Sequence, residues 1–256
     1  MHDKGHWQRF LKWGKTKERA HFLGMGDYFD LASTSERKIV HDTNLHESTL
    51  DTFEEFSMGW ILKTAKELDF MRGRLIGLIE GNHYFQFKDG TTSTQKLCGL
   101  LNCKYLGVAS FIKFSVRRKG SGSCATLDVL AHHGKGSGRL LGSGINTVQQ
   151  MGEVGQADIF LMGDNHQKSL AYSDKLRLVG NSHGLHVRSR KQLFCRTGSF
   201  LKGYEDGKAS YVTDKFLNPT NLGVVKIEIT PRRIDESRGQ KETGYDEYYL
   251  DIHASL

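Results

Sequence analysis

Residues 21–30 read His-Phe-Leu-Gly-Met-Gly-Asp-Tyr-Phe-Asp, an apolar run that gives way abruptly to acidic side chains. The apolar half predicts a buried strand, and Gly26 allows the chain to turn sharply away from it. Asp27 and Asp30 come directly after this turn. In open sheets of α/β type, ligands collect beyond the carboxyl ends of the strands. The stretch therefore predicts an α/β fold with a polar site at the end of a strand.

Three more apolar runs end in polar side chains of the same kinds. They lead into Gly81-Asn82-His83, into His132-His133-Gly134 and into Gly163-Asp164-Asn165-His166. Clusters that are remote in sequence can converge on one crevice when their strands end at the same edge. Carboxylates and imidazoles together suit Mn, Fe, Ni, Co or Zn better than Ca, which prefers oxygen ligands alone. The four strand ends therefore predict a metal centre.

In this order the clusters resemble the motifs of the calcineurin-like metallophosphoesterases, and the layout is similar to family members encoded by phages and prophages. The family pattern runs D-x-H, G-D-x-x-D, G-N-H-[DE], H and G-H-x-H, and the resemblance spans residues 22–166. Residues 26–30 match the second motif, and residues 81–83 match the third. Farther along, the sequence Arg-Thr-Gly-Ser at residues 196–199 resembles the N-x-G-S strand end that follows the last motif.

The resemblance implies both a fold and a reaction. The fold is a single domain over residues 1–256, a four-layer αββα sandwich of two mixed β-sheets flanked by helices. The reaction is hydrolysis of a phosphomonoester or phosphodiester by metal-activated hydroxide, with two divalent ions as cofactors and Mn favoured. Two ions about 3.5–4 Å apart can clamp a phosphoryl group and stabilise the leaving oxygen.

The resemblance also implies a role for each matching residue. The implied metal ligands are Asp27, Asn82, His132, Asp164 and His166. Asp27 would bridge both ions. His132 is the first imidazole after its strand and matches the isolated histidine of the family, with His133 as a close alternative. His83 would protonate the leaving group or hold the phosphate, and Asp30 would support the catalytic site.

Three departures from the family pattern bear on function. Asp164 stands where the family has a histidine, and Tyr84 stands where an acidic residue follows G-N-H. No D-x-H motif precedes Gly26. This third departure predicts that the coding sequence begins upstream of Met1. It also leaves an alternative open: a phosphate- or nucleic-acid-binding protein that keeps the fold but lacks the first metal site.

The formal net charge of +7 and the pI near 9.1 favour an anionic partner. Basic residues gather at residues 113–119, 135–139, 188–196 and 226–233. Together with the resemblance, this predicts a phosphorylated small molecule or a nucleic acid as substrate. In the glycine-rich stretch 134–144, Lys135 and Arg139 are the candidate substrate contacts. The alternative for that stretch is a flexible connection of small residues.

Composition indicates a compactly folded cytoplasmic protein. The apolar content is 38%, and only 2 prolines are present. The four cysteines form no C-x2-C pattern and are too few for a disulfide framework, so we expect reduced thiols in a cytoplasm. The longest apolar runs are too short to cross a membrane.

Periodicity predicts alternating helices and strands. Helices are expected near residues 7–13, 49–70, 93–101 and 145–153, and strands near residues 21–26, 74–80, 110–117, 125–131 and 158–162. The last third is mostly β, with strands near residues 169–179, 186–196, 222–230 and 248–252. In the second helix, Phe53, Phe56 and Trp60 recur at near-helical spacing, which predicts that they form its buried face.

Overall fold

The computed structural model is a mixed α/β fold, as the sequence predicts. It describes residues 2–31, 36–37, 46–117, 124–136, 139–181, 184–233 and 248–256. Within these ranges, no helix combines the length and the apolar content that a membrane span requires.

The expected helices and strands are found close to their predicted positions. The helices are α1 (Lys4–Thr16), α2 (Glu47–Leu68), α3 (Ser93–Leu101), α4 (Leu141–Gln149), α5 (Met151–Val154) and α6 (Tyr211–Asp214). The strands are β1 (Phe22–Gly24), β2 (Leu75–Leu78), β3 (Lys104–Tyr105), β4 (Ala109–Arg117), β5 (Cys124–His132), β6 (Ile159–Met162), β7 (Lys168–Asn181), β8 (Gly184–Thr197), β9 (Lys226–Arg233) and β10 (Tyr248–Ser255). The strand expected from residue 222 begins later, at Lys226.

Within the described ranges, the strands form three sheets. The large sheet has the order β4-β5-β6-β8-β7, in which β5, β6 and β8 run parallel and the two edge strands run antiparallel to their neighbours. The small sheet has the order β1-β2-β3 and is parallel throughout. Strands β9 and β10 form an antiparallel hairpin. Parallel pairing aligns the carboxyl ends of β1 with β2 and of β5 with β6.

One face of the large sheet packs against the small sheet and the hairpin. Ala131, Leu161 and Cys195 lie on this face, and they share a buried cluster with Ile79 from the small-sheet side and Ile252 from β10. Because side chains alternate along a strand, the neighbouring residues point the other way. The core therefore lies between the sheets, and the strand ends that carry the polar clusters lie at its rim.

Helices cover the outer faces of both sheets. Behind the large sheet, Phe160 and Phe194 stack with ring centroids 4.9 Å apart and pack with Val148 of α4. On the small sheet, Ile61 of α2 and Leu97 of α3 are fully buried in a second cluster. These helices exclude water from the strands that carry the site.

The prediction that Phe53, Phe56 and Trp60 form the buried face of α2 is wrong. These side chains are 42%, 61% and 44% exposed. The buried stripe of α2 consists of Ser57, Ile61, Ala65 and Leu68. Successive members of this stripe are four, four and three residues apart, so they share one side of the helix. The aromatic row lies on the neighbouring side, where only Phe56 and Trp60 contact each other edge to face.

Candidate metal centre

The carboxyl ends of β1, β2, β5 and β6 meet where the two sheets face each other. Within the small sheet, the Ile79 amide donates to the Gly24 carbonyl (3.0 Å). Within the large sheet, the Gly163 amide donates to the His133 carbonyl (2.8 Å). Across the sheets, His133 Nδ1 lies 2.8 Å from the carbonyl of Met25. The strand ends of both sheets are therefore tied together by hydrogen bonds.

Asp27, His133 and Asp164 form a compact group at this meeting point. Each offers one ligand atom, and these atoms lie within 4.8 Å of one another. His133 Nε2 lies 3.3 Å from Asp27 Oδ2 and 3.7 Å from Asp164 Oδ1. Ligand atoms that share one ion at a bond length of roughly 2.0–2.2 Å are themselves separated by roughly 3.0–3.5 Å. The observed spacing is close to that of a preformed metal site.

The turn after β1 fixes the Asp27 carboxylate. Tyr28 Oη accepts from the Gly26 amide (3.2 Å) and donates to the Ile79 carbonyl (2.9 Å), which anchors the turn to β2. Asp27 Oδ1 accepts from the amides of Asn82 (2.8 Å) and His83 (3.0 Å). Two backbone donors therefore hold one oxygen, while Oδ2 points at His133.

Electrostatics around Asp27 favour its ionised form. Burial raises the pKa of the Asp27 carboxyl, but the hydrogen bond and charge of His133 outweigh burial, and the pKa lies below its usual range. Burial likewise lowers the pKa of His133, and the hydrogen bond and charge of Asp27 raise it above its usual range. The Asp27 carboxylate is therefore negatively charged and can bind a cation.

The His133 imidazole is oriented for ligation. Only 4% of the residue is exposed. Its Nδ1 donates to Met25, so its Nε2 faces the two carboxylates. A ligating histidine in metalloproteins commonly uses one ring nitrogen for such a carbonyl and the other for the metal. His133 thus shows the arrangement expected of a ligand.

The chemistry of the group fits a cation. With its oxygen turned inward, the Asn82 amide presents Oδ1, an acceptor, to the acceptor oxygens of the Asp27 carboxylate, and this Oδ1 lies 3.4 Å from His133 Nε2. With the amide turned over, Nδ2 donates to Asp27 Oδ2 (3.1 Å) and Oδ1 (3.2 Å). A divalent ion would satisfy all of these acceptors at once in the first orientation. The donor set of two carboxylates, one imidazole and one amide therefore suits a borderline divalent metal.

The backbone is unusual at this site. Asp27, Asp164 and His166 adopt left-handed conformations, with φ of 52°, 68° and 56°. The described residues contain two other non-glycine residues of this kind, Asn102 and Phe216. Such conformations cost energy and cluster at functional sites, where surrounding contacts hold them in place. This backbone strain supports a functional role for the turns, and it does so without reference to the sequence motifs.

Glycine is required at two positions near the strand ends, because other side chains lie too close to leave room for a Cβ there. A Cβ at Gly26 would clash with the His133 imidazole, and Gly26 has a φ of +102°. A Cβ at Gly81 would clash with Asp27, including its Oδ1. The expectation that a glycine lets the chain turn sharply is confirmed at Gly26, whereas Gly81 is required by the close approach of Asp27.

The histidine that lies with Asp27 and Asp164 is His133, which the sequence leaves as the close alternative to His132. Strand alternation gives the reason. Ala131 packs between the sheets, and a residue two positions later faces the same way. His132 lies on the other side, where its Nδ1 accepts from the Gly134 amide (2.7 Å). Burial lowers the pKa of His132.

His83 lies beside the group and is paired with Asp30. Its Nδ1 is 2.9 Å from Asp30 Oδ1, and the Asp30 side chain is 90% exposed. In the calcineurin-like motif that residues 81–83 resemble, an acidic residue follows the histidine, and in this chain Tyr84 stands at that position. The carboxylate that contacts the His83 imidazole is that of Asp30.

Arg37 is a site residue that the sequence interpretation missed. Its Nη1 donates to the carbonyls of Asn82 (2.8 Å) and Tyr84 (3.0 Å). Its guanidinium also lies 3.8 Å from the centroid of the Tyr84 ring. These contacts fix the turn whose amides hold Asp27. No local motif signals this role, because Arg37 lies outside the strand-end clusters.

His166 lies near the group without belonging to it. Burial lowers the pKa of His166, while the charges of Asp164 and Asp27 oppose that shift. The described residues contain no second group of three metal-competent side chains. Asp3, the acidic residue nearest the start of the chain, caps α1 by accepting from the His6 amide (2.8 Å).

The two candidate substrate contacts are both exposed. The charge of Lys135 reaches His132 and helps to lower its pKa, after the larger effect of burial. Arg139 Nη2 donates to the Lys215 carbonyl (3.2 Å), and the Asn218 side chain donates to the Arg139 carbonyl (2.7 Å). Arg139 is therefore tied to the segment after α6, whereas Lys135 is exposed two residues after His133 in the chain.

Arg196 supports the turn that carries Asp164. It is completely buried, its Nη1 donates to the Gly163 carbonyl (2.6 Å), and its Nε donates to the Gly144 carbonyl (3.2 Å). Burial lowers the pKa of Arg196, and the charge of Asp164 opposes this shift. The guanidinium thus holds the carbonyl immediately before the strained Asp164 backbone.

Arg196→Met should therefore weaken metal binding as well as the fold. We expect the free energy of unfolding to fall by about 2 kcal/mol, because two hydrogen bonds from a buried guanidinium are lost. We expect metal affinity to fall by about tenfold, as when an outer contact of a metal ligand is lost. Isothermal titration with Mn²⁺ and denaturant unfolding measure the two effects.

Gln192→Met is the matched control. Gln192 lies on the same strand, is buried, and donates to the Ala157 carbonyl (2.8 Å) at the end away from the site. It should destabilise the protein and leave metal affinity unchanged. Equal metal affinity in both variants would contradict a role for Arg196 in positioning Asp164.

Comparisons of the chain with protein-family models, with curated proteins and with solved structures found no match. The family resemblance therefore rests on the motif residues themselves.

Proposed function

We propose that this chain is a metal-dependent phosphoesterase of the calcineurin-like kind, built as a four-layer αββα sandwich. One observation carries the proposal. Four strand ends, remote in sequence, bring Asp27, Asn82, His133 and Asp164 together, and the motif order led us to expect convergence there. The two covered sheets, with their shared core, support the architecture.

Asp27, Asn82, His133 and Asp164 would hold a divalent ion, with Mn favoured among Mn, Fe, Ni, Co and Zn. When bound, such an ion polarises a phosphoryl oxygen and lowers the pKa of a coordinated water. If a second ion binds, as the resemblance implies, Asp27 and His166 are its nearest candidate ligands.

The residues around the ligands would act on the substrate. Asp30 accepts a hydrogen bond from His83 Nδ1, which leaves Nε2 to carry a proton to the leaving oxygen or to hold the phosphate. Arg37 keeps the His83 turn in place. Lys135 is exposed two residues after His133 in the chain and would attract an anionic substrate.

The substrate class is a phosphomonoester or a phosphodiester, and the net charge of +7 favours a nucleotide or a nucleic acid. The rival function is a phosphate- or nucleic-acid-binding protein without turnover. One observation favours the rival: the described residues supply a single group of three metal-competent side chains.

Hydrolysis of bis-p-nitrophenyl phosphate separates the two functions. We expect the full chain to turn over this diester with Mn²⁺ and to lose activity with EDTA. His83→Asn should keep Mn²⁺ affinity and lose most of the turnover, by about 100-fold or more, because it removes the proton donor and leaves the ligands. If the protein binds Mn²⁺ but hydrolyses neither this diester nor the monoester p-nitrophenyl phosphate, the rival function replaces the proposed one.

A further inference from the structure

The turn after α6 carries an aromatic side chain in an unfavourable backbone conformation. Phe216 has a φ of 49°, and its amide donates to the Thr213 carbonyl (3.0 Å). Glycine is the usual residue where a helix ends in this left-handed conformation, because a bulky side chain raises its energy. The residue is also 79% exposed, so burial of the ring does not offset the strain.

Hydrogen bonds hold this turn in place. The Leu217 amide donates to the carbonyl of Val212, a buried residue of α6 (2.9 Å). The Leu217 carbonyl accepts from Tyr204 Oη (2.7 Å). The residue after Phe216 is therefore anchored at both its amide and its carbonyl, and the turn presents the aromatic ring to solvent.

Positive charge lies next to the ring. Lys215 immediately precedes Phe216 and is exposed. Arg139 Nη2 donates to the Lys215 carbonyl (3.2 Å), and the Asn218 side chain donates to the Arg139 carbonyl (2.7 Å). The Arg139 guanidinium therefore lies beside the turn that carries the ring. Asp214 is the acidic residue of this turn, and the two cations exceed its charge.

The same segment continues to the metal centre. Asn221, five residues after Phe216, donates its amide to the His166 carbonyl (3.0 Å). Its side-chain oxygen accepts from the Lys168 amide (3.1 Å). Five residues span at most roughly 18 Å. The ring therefore lies within reach of a strand of a few nucleotides that has one phosphate at the metal centre.

Strain and exposure at one residue indicate a functional role, and the surroundings indicate the ligand. Costly backbone conformations are retained at functional sites. A specific protein interface buries roughly 800 Å² on each partner, which is far more than one ring provides. A single nucleobase, in contrast, stacks on a single aromatic ring, and neighbouring cations contact the flanking phosphates.

We propose that Phe216 stacks a base of a single-stranded nucleic acid, while Arg139 and Lys215 contact its phosphates. The strand is unpaired, because bases within a duplex stack on one another and offer no free face. The place of this base relative to a scissile phosphate rests on the proposed function, whereas the binding itself needs no metal.

Fluorescence anisotropy of a labelled oligothymidylate, measured in EDTA with the full chain, tests the proposal. We expect the intact strand to bind about tenfold tighter than a strand of equal length made of abasic residues, because the two differ in stacking and not in charge. Phe216→Ala should weaken binding of the intact strand by about tenfold and remove this difference.

Two further variants separate the roles. Arg139→Gln should weaken binding of both strands alike, because it removes a phosphate contact. Phe56→Ala is the matched control, since this ring is 61% exposed on α2. Its loss should leave both affinities unchanged.

Phe216→Gly separates binding from folding. Glycine adopts a φ of 49° without strain, so this variant should melt at least as high as the wild type and bind like Phe216→Ala. A lower melting temperature would assign the ring to the fold and overturn the proposal. So would normal affinity in Phe216→Ala, equal wild-type affinity for the two strands, or no binding of either at about 100 µM protein. Failure to hydrolyse bis-p-nitrophenyl phosphate would overturn the proposed function alone.

Discussion

Asp27→Asn is expected to abolish metal binding while the fold survives. The amide oxygen of asparagine can still accept from the Asn82 and His83 amides, as Asp27 Oδ1 does. Its Nδ2 would then face His133 Nε2, where Oδ2 now lies at 3.3 Å. The variant therefore exchanges a charged ligand for a neutral hydrogen bond. We expect Mn²⁺ affinity to fall by at least about 100-fold, with diesterase activity falling at least as far.

Isothermal titration and thermal unfolding of the metal-free proteins measure this prediction. Metal-free Asp27→Asn should fold but be somewhat less stable than the wild type at neutral pH, because the lowered pKa of Asp27 means that its ionised form stabilises the fold through His133. Asp30→Asn is the control, since its exposed carboxylate contacts His83 and lies outside the group. It should keep Mn²⁺ affinity. Wild-type Mn²⁺ affinity in Asp27→Asn would show that the group is not a metal centre.

His133→Asn and His132→Ala should differ strongly in metal binding. The amide nitrogen of asparagine can replace His133 Nδ1 as the donor to Met25, so the tie between the sheets is kept. It has no counterpart to Nε2, which faces both carboxylates. We expect His133→Asn to lose at least about 100-fold in Mn²⁺ affinity.

His132→Ala removes a side chain that accepts from the Gly134 amide and points away from the group. We expect less than a threefold change in its Mn²⁺ affinity, because the lost hydrogen bond is local to the His132–Gly134 turn and involves none of the ligand atoms of the group. Mn²⁺ titration by electron paramagnetic resonance compares the two. Loss of Mn²⁺ binding in His132→Ala, with Mn²⁺ binding retained in His133→Asn, would show that His132 is the metal ligand.

The sequence predicted where the site would form, because each polar cluster follows an apolar run. It also contained the information to choose between the two histidines. Ala131 and Leu161 face the core between the sheets, and residue 133 follows Ala131 at the spacing of a strand. The first imidazole after the strand, His132, points to the opposite side because of this alternation. The left-handed turn at Asp164 then brings its carboxylate towards His133.

Other features could not be read from the sequence. Helix α2 carries apolar side chains on two neighbouring sides, and periodicity alone does not say which side meets the sheet. The small residues Ser57 and Ala65 share the buried side because α2 packs closely there. The contacts of Arg37 and Arg196 are tertiary, so no local pattern reveals them.

A crystal of the Mn²⁺-loaded protein, with an anomalous difference map, tests the central claim most directly. We predict a peak about 2.0–2.3 Å from Asp27 Oδ2, His133 Nε2 and Asp164 Oδ1, with the Asn82 oxygen turned towards it. A peak on His132 instead, or no peak among these side chains at saturating Mn²⁺, would contradict the account.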